Sequence, residues 1–155
     1  EVLNENRSID IEENYNFVVH YFADYILSHP EKIQTLGNVE RALGNLREKG
    51  YIIALVTNDS RLPAEAVLQV AGISELFDFV GTTDEFPSKP ATDSLYAIQS
   101  KFGVSFDEMI YIGDSTVDED FAKNTAGFIA VTSEPNNPEV LPSAIFKVKS
   151  IDELS

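Results

Sequence analysis

The stretch Met109-Ile-Tyr-Ile-Gly-Asp-Ser-Thr-Val-Asp118 constrains the fold more than any other part of the chain. Four apolar residues, Met109 to Ile112, are broken at once by Gly113 and a cluster of small polar and acidic residues, then by a helical pattern closing at Gly127. So short and apolar a run suits a parallel strand covered on both faces, followed by a sharp loop and a helix. In an open α/β sheet that loop lies at the carboxyl end of the strands, where such folds hold ligands. Asp114 and Asp118 therefore fall at the mouth of a site. Two neighbouring carboxylates repel unless a positive charge lies between them, and hard oxygen donors of this kind suit Mg²⁺. The same acids also read as helix caps, since Asp at a strand-to-helix junction satisfies free N–H groups and complements the helix dipole.

The remaining pattern alternates strands with helices. Glu1 to Asn14 has no clear period and reads as a lead-in. Tyr15, Val18, Val19, Phe22, Tyr25 and Ile26 recur at spacings of three and four, predicting a helix with one apolar packing face that stops near His29-Pro30. His20 and His29 have no second His or Cys at ligand spacing and read as structural or solvated. Asn38 caps a second helix that ends at Gly50, and Tyr51 to Thr57 is a β-prone run that reads as a central buried strand. Pro63 suits the first turn of a helix stopped by Gly72, and Phe77 to Val80 is a third strand, leading into the polar loop Gly81 to Pro90. A helix over Ala91 to Phe102 stops at Gly103, and Ser105 to Glu108 forms a capping box before the Met109 strand. Phe128 to Val131 and Ala144 to Val148 are the last strands, with a terminal turn at Ile151 to Leu154. This alternation predicts βαβ units in a three-layer, Rossmann-like α/β/α sandwich with a mostly parallel sheet.

Bulk properties narrow the function. A chain of 155 residues suits one domain. Its net charge of −15, from 26 acids against 11 bases, argues against nucleic acid or an anionic membrane as partner. A phosphorylated ligand would need a locally positive pocket, supplied by a metal, a lysine or helix N-termini. There is no cysteine, hence no disulfide, thiolate nucleophile or zinc–thiolate site, which fits a cytoplasmic protein. No apolar run approaches a membrane span.

Three predicted strand ends bring polar groups to one sheet edge: Thr57 with Asn58, the loop bearing Lys89, and Asp114 with Asp118. A hydroxyl, an ammonium and an acid pair suited to Mg²⁺ make a cradle for a phosphoryl group, whose charge must be neutralised during transfer. An apolar strand with Thr57-Asn58, then Ser88-Lys89-Pro90, then Ile112-Gly-Asp-Ser-x-x-Asp118 and a helix closing in Ala126-Gly127, resembles motifs II to IV of the haloacid dehalogenase superfamily. The phosphoglycolate-phosphatase-like branch is the nearest in pattern. The resemblance runs from about Asn38 to Leu154. It implies that Thr57 and Asn58 hold the transferring phosphoryl group, that Lys89 offsets charge there, and that Asp114 and a second acid, Asp118 or Glu119, bind Mg²⁺. It also implies a division into residues 1–37, part of a small helical cap or lead-in, and residues 38–155, the α/β core.

The family's first motif, an apolar strand ending in Asp-x-Asp-x-Thr, is not found in the sequence. Asp10-Ile-Glu12 is the nearest string, without the preceding apolar run or the following Thr. The expectation is therefore a Mg²⁺-dependent phosphatase acting on a small phosphorylated metabolite, its nucleophilic Asp and central strand lying outside this sequence. The alternative is a catalytically inactive binding or regulatory module. A sheet without its middle strand invites self-association or pairing with a missing N-terminal segment.

Overall fold

A computed structural model describes residues 11–154. Ten regular elements follow one another: α1 (Ile11–Ser28), α2 (Val39–Glu48), β1 (Ala54–Val56), α3 (Arg61–Ala71), β2 (Phe79–Gly81), α4 (Asp93–Phe102), β3 (Ile110–Gly113), α5 (Thr116–Ala122), β4 (Gly127–Val131) and β5 (Phe146–Val148). The boundaries follow from local chemistry. Asn38 accepts a hydrogen bond from the Arg41 N–H at 3.0 Å and opens α2. Glycines 72 and 103 stop α3 and α4 where the sequence places them. Glu108 accepts both the N–H and the hydroxyl of Ser105, at 2.8 and 2.7 Å, tying the turn that feeds β3.

All strand pairs are parallel, as the alternation predicts, but the ladder is in two pieces: β1 pairs with β2, while β3, β4 and β5 form a second sheet in that order. The larger piece carries the core, with Ala122, Phe128, Ala130 and Leu141 buried together and Tyr111, Val140 and Ala144 packed on them. The Asn38 N–H donates to Asp152 at 2.7 Å, tying the C-terminal turn to the start of α2.

Two expectations are corrected. Tyr51 to Thr57 is not a central buried strand: the strand proper is Ala54–Val56, paired on one side alone, and Tyr51 and Ile52 are 62% and 44% exposed. The run lacks a second neighbour among the described residues, and at its start the Ile53 N–H goes to the Asp78 carboxylate at 2.9 Å. The second concerns α1. Its predicted stripe is largely open to solvent, with Tyr15, Val18 and Phe22 about half exposed and Ala23 alone fully buried. The helix packs against α3, and one neighbour covers one side only. The Tyr15 hydroxyl bonds that of Ser60, while Phe17, Tyr21, Tyr25 and His29 stack one turn apart along the outside. His20 and His29 each bond a carbonyl of the preceding turn, Asn16 at 2.8 Å and Tyr25 at 3.0 Å. Of the lead-in expected over Glu1 to Asn14, residues 1–10 lie outside the described residues, and residues 11–14 are instead the first turn of α1.

Candidate active site

The site grows from the end of β3. The chain leaves that strand at Gly113, and Ser115 caps α5 by accepting the Asp118 N–H at 3.2 Å. Asp118 answers as the other half of a capping box, one carboxylate oxygen accepting the N–H groups of Asp114 and Ser115 at 3.2 and 3.1 Å and the Ser115 hydroxyl at 2.7 Å. The carboxylate consequently lies directly over Gly113: a Cβ there would stand 2.5 Å from both Cβ and Cγ of Asp118. Glycine is required for this close approach.

The other oxygen of Asp118 faces Lys89. The ammonium donates to it at 2.7 Å and to the Tyr111 hydroxyl at 2.9 Å, and that hydroxyl in turn donates to Asp118 at 3.0 Å. The ion pair is buried, with side-chain exposures of 12% for Lys89 and 7% for Asp118. Burial alone would raise the carboxyl pKa, but hydrogen bonds from Lys89 and Ser115 overcome it and bring it down to about 2. Burial, with Asp118 adding to it, pushes the Tyr111 hydroxyl well above its usual range, so it stays protonated.

Lys89 arrives on the loop after β2, which is clamped from α3. Arg61 grips both oxygens of Glu85, at 2.7 and 2.8 Å, and bonds the Val80 carbonyl at 2.8 Å, while its own N–H goes to Asp84 at 2.8 Å. Arg61, against the cost of burial, holds the Glu85 carboxyl down to about 2. From β1, the Asn58 side chain accepts the Lys89 N–H at 2.7 Å and donates to its carbonyl at 3.4 Å. Thr57, next to it, donates its hydroxyl to Asp59 at 2.8 Å and its N–H to the Gly81 carbonyl at 3.0 Å.

The structure thus joins Asn58, Lys89 and Asp118 in one hydrogen-bonded chain that ends on the backbone of Asp114, while the Thr57 hydroxyl is turned into its own loop. The Asp114 side chain is exposed and accepts no hydrogen bond among the described residues. It contributes to a cleft of about 230 Å³ with apolar walls from Leu36, Val39, Ile112 and Ile151. Glu119 points elsewhere, accepting the N–H and hydroxyl of Ser143 at 2.7 Å each, so Asp118 is the acid that meets Lys89. Among the described residues no group of three or more His, Cys, Asp or Glu side chains is gathered as a metal site. Tyr111 escaped the sequence reading, although a signal was present. It is the one side chain with a polar tip in an otherwise aliphatic run, and on a strand it shares a face with Gly113.

Residues 2–131 match the sequence profile of haloacid dehalogenase-like hydrolases. The chain belongs to that family. Within the family, a phosphoglycolate phosphatase of Pasteurella multocida (strain Pm70) is 37% identical over 95 residues, covering 61% of this chain and 42% of the relative. A phosphoglycolate phosphatase of Haemophilus influenzae (strain 86-028NP) is 31% identical over 118 residues, covering 76% and 50%. The chain spans about half the length of the curated relatives it matches. In fold, the crystal structure of a HAD phosphatase from Thermococcus onnurineus superposes with a TM-score of 0.76 at 24% identity, covering 86% of this chain and 62% of that one. The Rossmann-like α/β architecture read from the sequence is therefore the family's fold.

Proposed function

We propose that these residues form most of the core of a Mg²⁺-dependent phosphomonoester hydrolase acting on a small phosphorylated metabolite, phosphoglycolate being the first substrate to test. The observation that carries the reading is the continuous hydrogen-bonded chain from Asn58 through Lys89 to Asp118 and Asp114, which gathers three sequence-distant loops at the ends of β1, β2 and β3. In this reading Lys89 receives a phosphoryl oxygen, Thr57 exchanges its bond to Asp59 for one to the phosphoryl group, and Asn58 keeps the Lys89 backbone in place. Because Lys89 is already paired with Asp118, the cradle has little positive charge of its own. An anion entering a chain of net charge −15 needs more.

The residues present fit a Mg²⁺ ion of a particular kind. Mg²⁺ is usually held by one or two carboxylates, with phosphate oxygens and waters completing its octahedron, and Asp114 offers an uncommitted carboxylate at the cleft. Asp118, the second acid expected as a ligand, has both oxygens engaged by five donors and acts in this reading through Lys89. When bound, the ion supplies charge neutralisation to the phosphoryl oxygens. The attacking group is an aspartate outside this sequence, whose carboxylate would bond phosphorus as the substrate's alcohol leaves, and water would then cleave that aspartyl-phosphate to inorganic phosphate and the free aspartate. Membrane and nucleic acid are not among the proposed partners: no helix among the described residues is long and apolar enough to cross a membrane, and the net charge disfavours a polyanion. A cytoplasmic location fits the same reading.

Asp114→Asn in an enzyme containing the nucleophilic segment should lower Mg²⁺-dependent hydrolysis of p-nitrophenyl phosphate at least a hundredfold. Activity near that of the unaltered enzyme would refute the assignment. The rival reading, a binding module without catalysis, rests on the missing Asp-x-Asp-x-Thr string. It predicts calorimetric Mg²⁺ or phosphate binding with no turnover even when that segment is supplied.

A further inference from the structure

The Lys89 ammonium has three N–H donors, and within the described residues they find two acceptors, Asp118 at 2.7 Å and the Tyr111 hydroxyl at 2.9 Å. The side chain is only 12% exposed, and the remaining donor has no partner among the described residues. Such a donor calls for an acceptor from a ligand. Tyr111 is placed to govern its direction. The ring lies 4.9 Å from that of the wholly buried Phe121, at 69°, so the phenol cannot swing without disturbing the core. The hydroxyl both accepts from Lys89 and donates to Asp118, closing a three-membered ring of hydrogen bonds, while the ammonium also stands 5.5 Å from the phenol centroid.

We propose that Tyr111 is a positioning residue: its hydroxyl, with Asp118, fixes two of the three ammonium N–H groups of Lys89 and so reserves the third for a phosphoryl oxygen. The proposal rests on reading Lys89 as the phosphate-facing cation. It adds a group that never touches substrate yet sets how strongly the cation can bind it. An ammonium tethered to Asp118 alone can pivot about a single contact. Tethered twice, it presents one donor in one direction, and less orientational freedom is lost when the anion arrives.

The test compares the unaltered chain with Tyr111→Phe and Lys89→Met, using inorganic phosphate as probe. Tyr111→Phe keeps the ring on Phe121 and removes only the hydroxyl. Phosphate affinity, by calorimetry, should fall roughly three- to tenfold in Tyr111→Phe, the worth of one hydrogen bond, and further in Lys89→Met. In ¹⁵N-lysine-labelled protein the Lys89 ammonium protons should exchange with water several-fold faster in Tyr111→Phe, a change that loss of packing alone does not produce. Unchanged affinity and unchanged exchange in Tyr111→Phe, with affinity lost in Lys89→Met, would overturn the role of Tyr111 and leave the phosphate site standing. Equal phosphate affinity in the unaltered chain and Lys89→Met would overturn the phosphate reading itself, and ammonium exchange would then still decide whether Tyr111 holds Lys89. Should Tyr111→Phe fail to fold, ring-labelled Tyr111 in the unaltered chain replaces it. Its signals must move with phosphate at the same midpoint as those of the Lys89 ammonium, and signals that stay fixed would refute the proposal.

Discussion

The two pieces of sheet are held together by different means. Around β1 and β2 the polar work is done at the surface, by Arg47 with Asp78 and Arg61 with Glu85, side chains that remain between 28% and 37% exposed. Around β3 to β5 the support is an apolar core, with Phe121 and Ala130 fully buried, and the buried ion pair among the described residues there is Lys89 with Asp118, nearly out of reach of water. Both designs drive a carboxylate down to about pKa 2, Glu85 in one case and Asp118 in the other. The same perturbation carries different energetic weight in the two places. Screening by water and salt weakens the first, while the second leaves an uncompensated charge if either partner is lost.

The difference can be broken most forcefully at Asp118. Asp118→Asn leaves the Lys89 ammonium buried without its counter-charge and should cost about 3–5 kcal/mol of unfolding free energy, read from the urea midpoint and largely indifferent to salt. Adding Lys89→Met should recover part of that loss, and a double variant no better than Asp118→Asn would argue that packing, not charge, is at stake. Next comes acid. A carboxyl at about 2 when folded and near 3.9 when unfolded stabilises above the unfolded value, so that contribution, roughly 2–3 kcal/mol, should disappear as pH falls from about 4 through about 2. Asp118→Asn should flatten this limb in circular-dichroism melts taken at successive pH values. Gly113→Ala should follow at roughly 1–3 kcal/mol, because the added methyl forces the Asp118 carboxylate aside. A melt unchanged within a degree would refute the close approach. Smallest is Glu85→Gln, at about 1 kcal/mol or less and shrinking in 1 M salt. An effect as large and salt-resistant as that of Asp118→Asn would erase the contrast between the two pieces.

How far the sequence carried follows the same line. The β3 loop was legible because an apolar strand, a glycine and a cap are local signals, and they specified both Asp114 and Asp118. Lys89 was legible through its company, Ser88 and Pro90, in the order the family pattern demands. Local pattern is silent about pairing across the sheet. Tyr51 to Thr57 has the composition of a central strand, but how many neighbours it has depends on which segments stand beside it, and among the described residues only β2 does. The α1 stripe failed likewise, since periodicity declares that a face is apolar and not that something covers it. Asp118 taught the reverse lesson. Its two oxygens divide the work, one closing the cap of α5 and the other meeting Lys89.

Asn58 grips the main chain of residue 89 and makes no demand on what that residue carries. The loop's address is therefore written in amide-to-peptide bonds, apart from the chemistry delivered there. Exchanging the cation for a neutral head, together with Asp118 so that no buried charge is left unpaired, should leave the backbone where it is, which makes positions 89 and 118 a pair to redesign jointly.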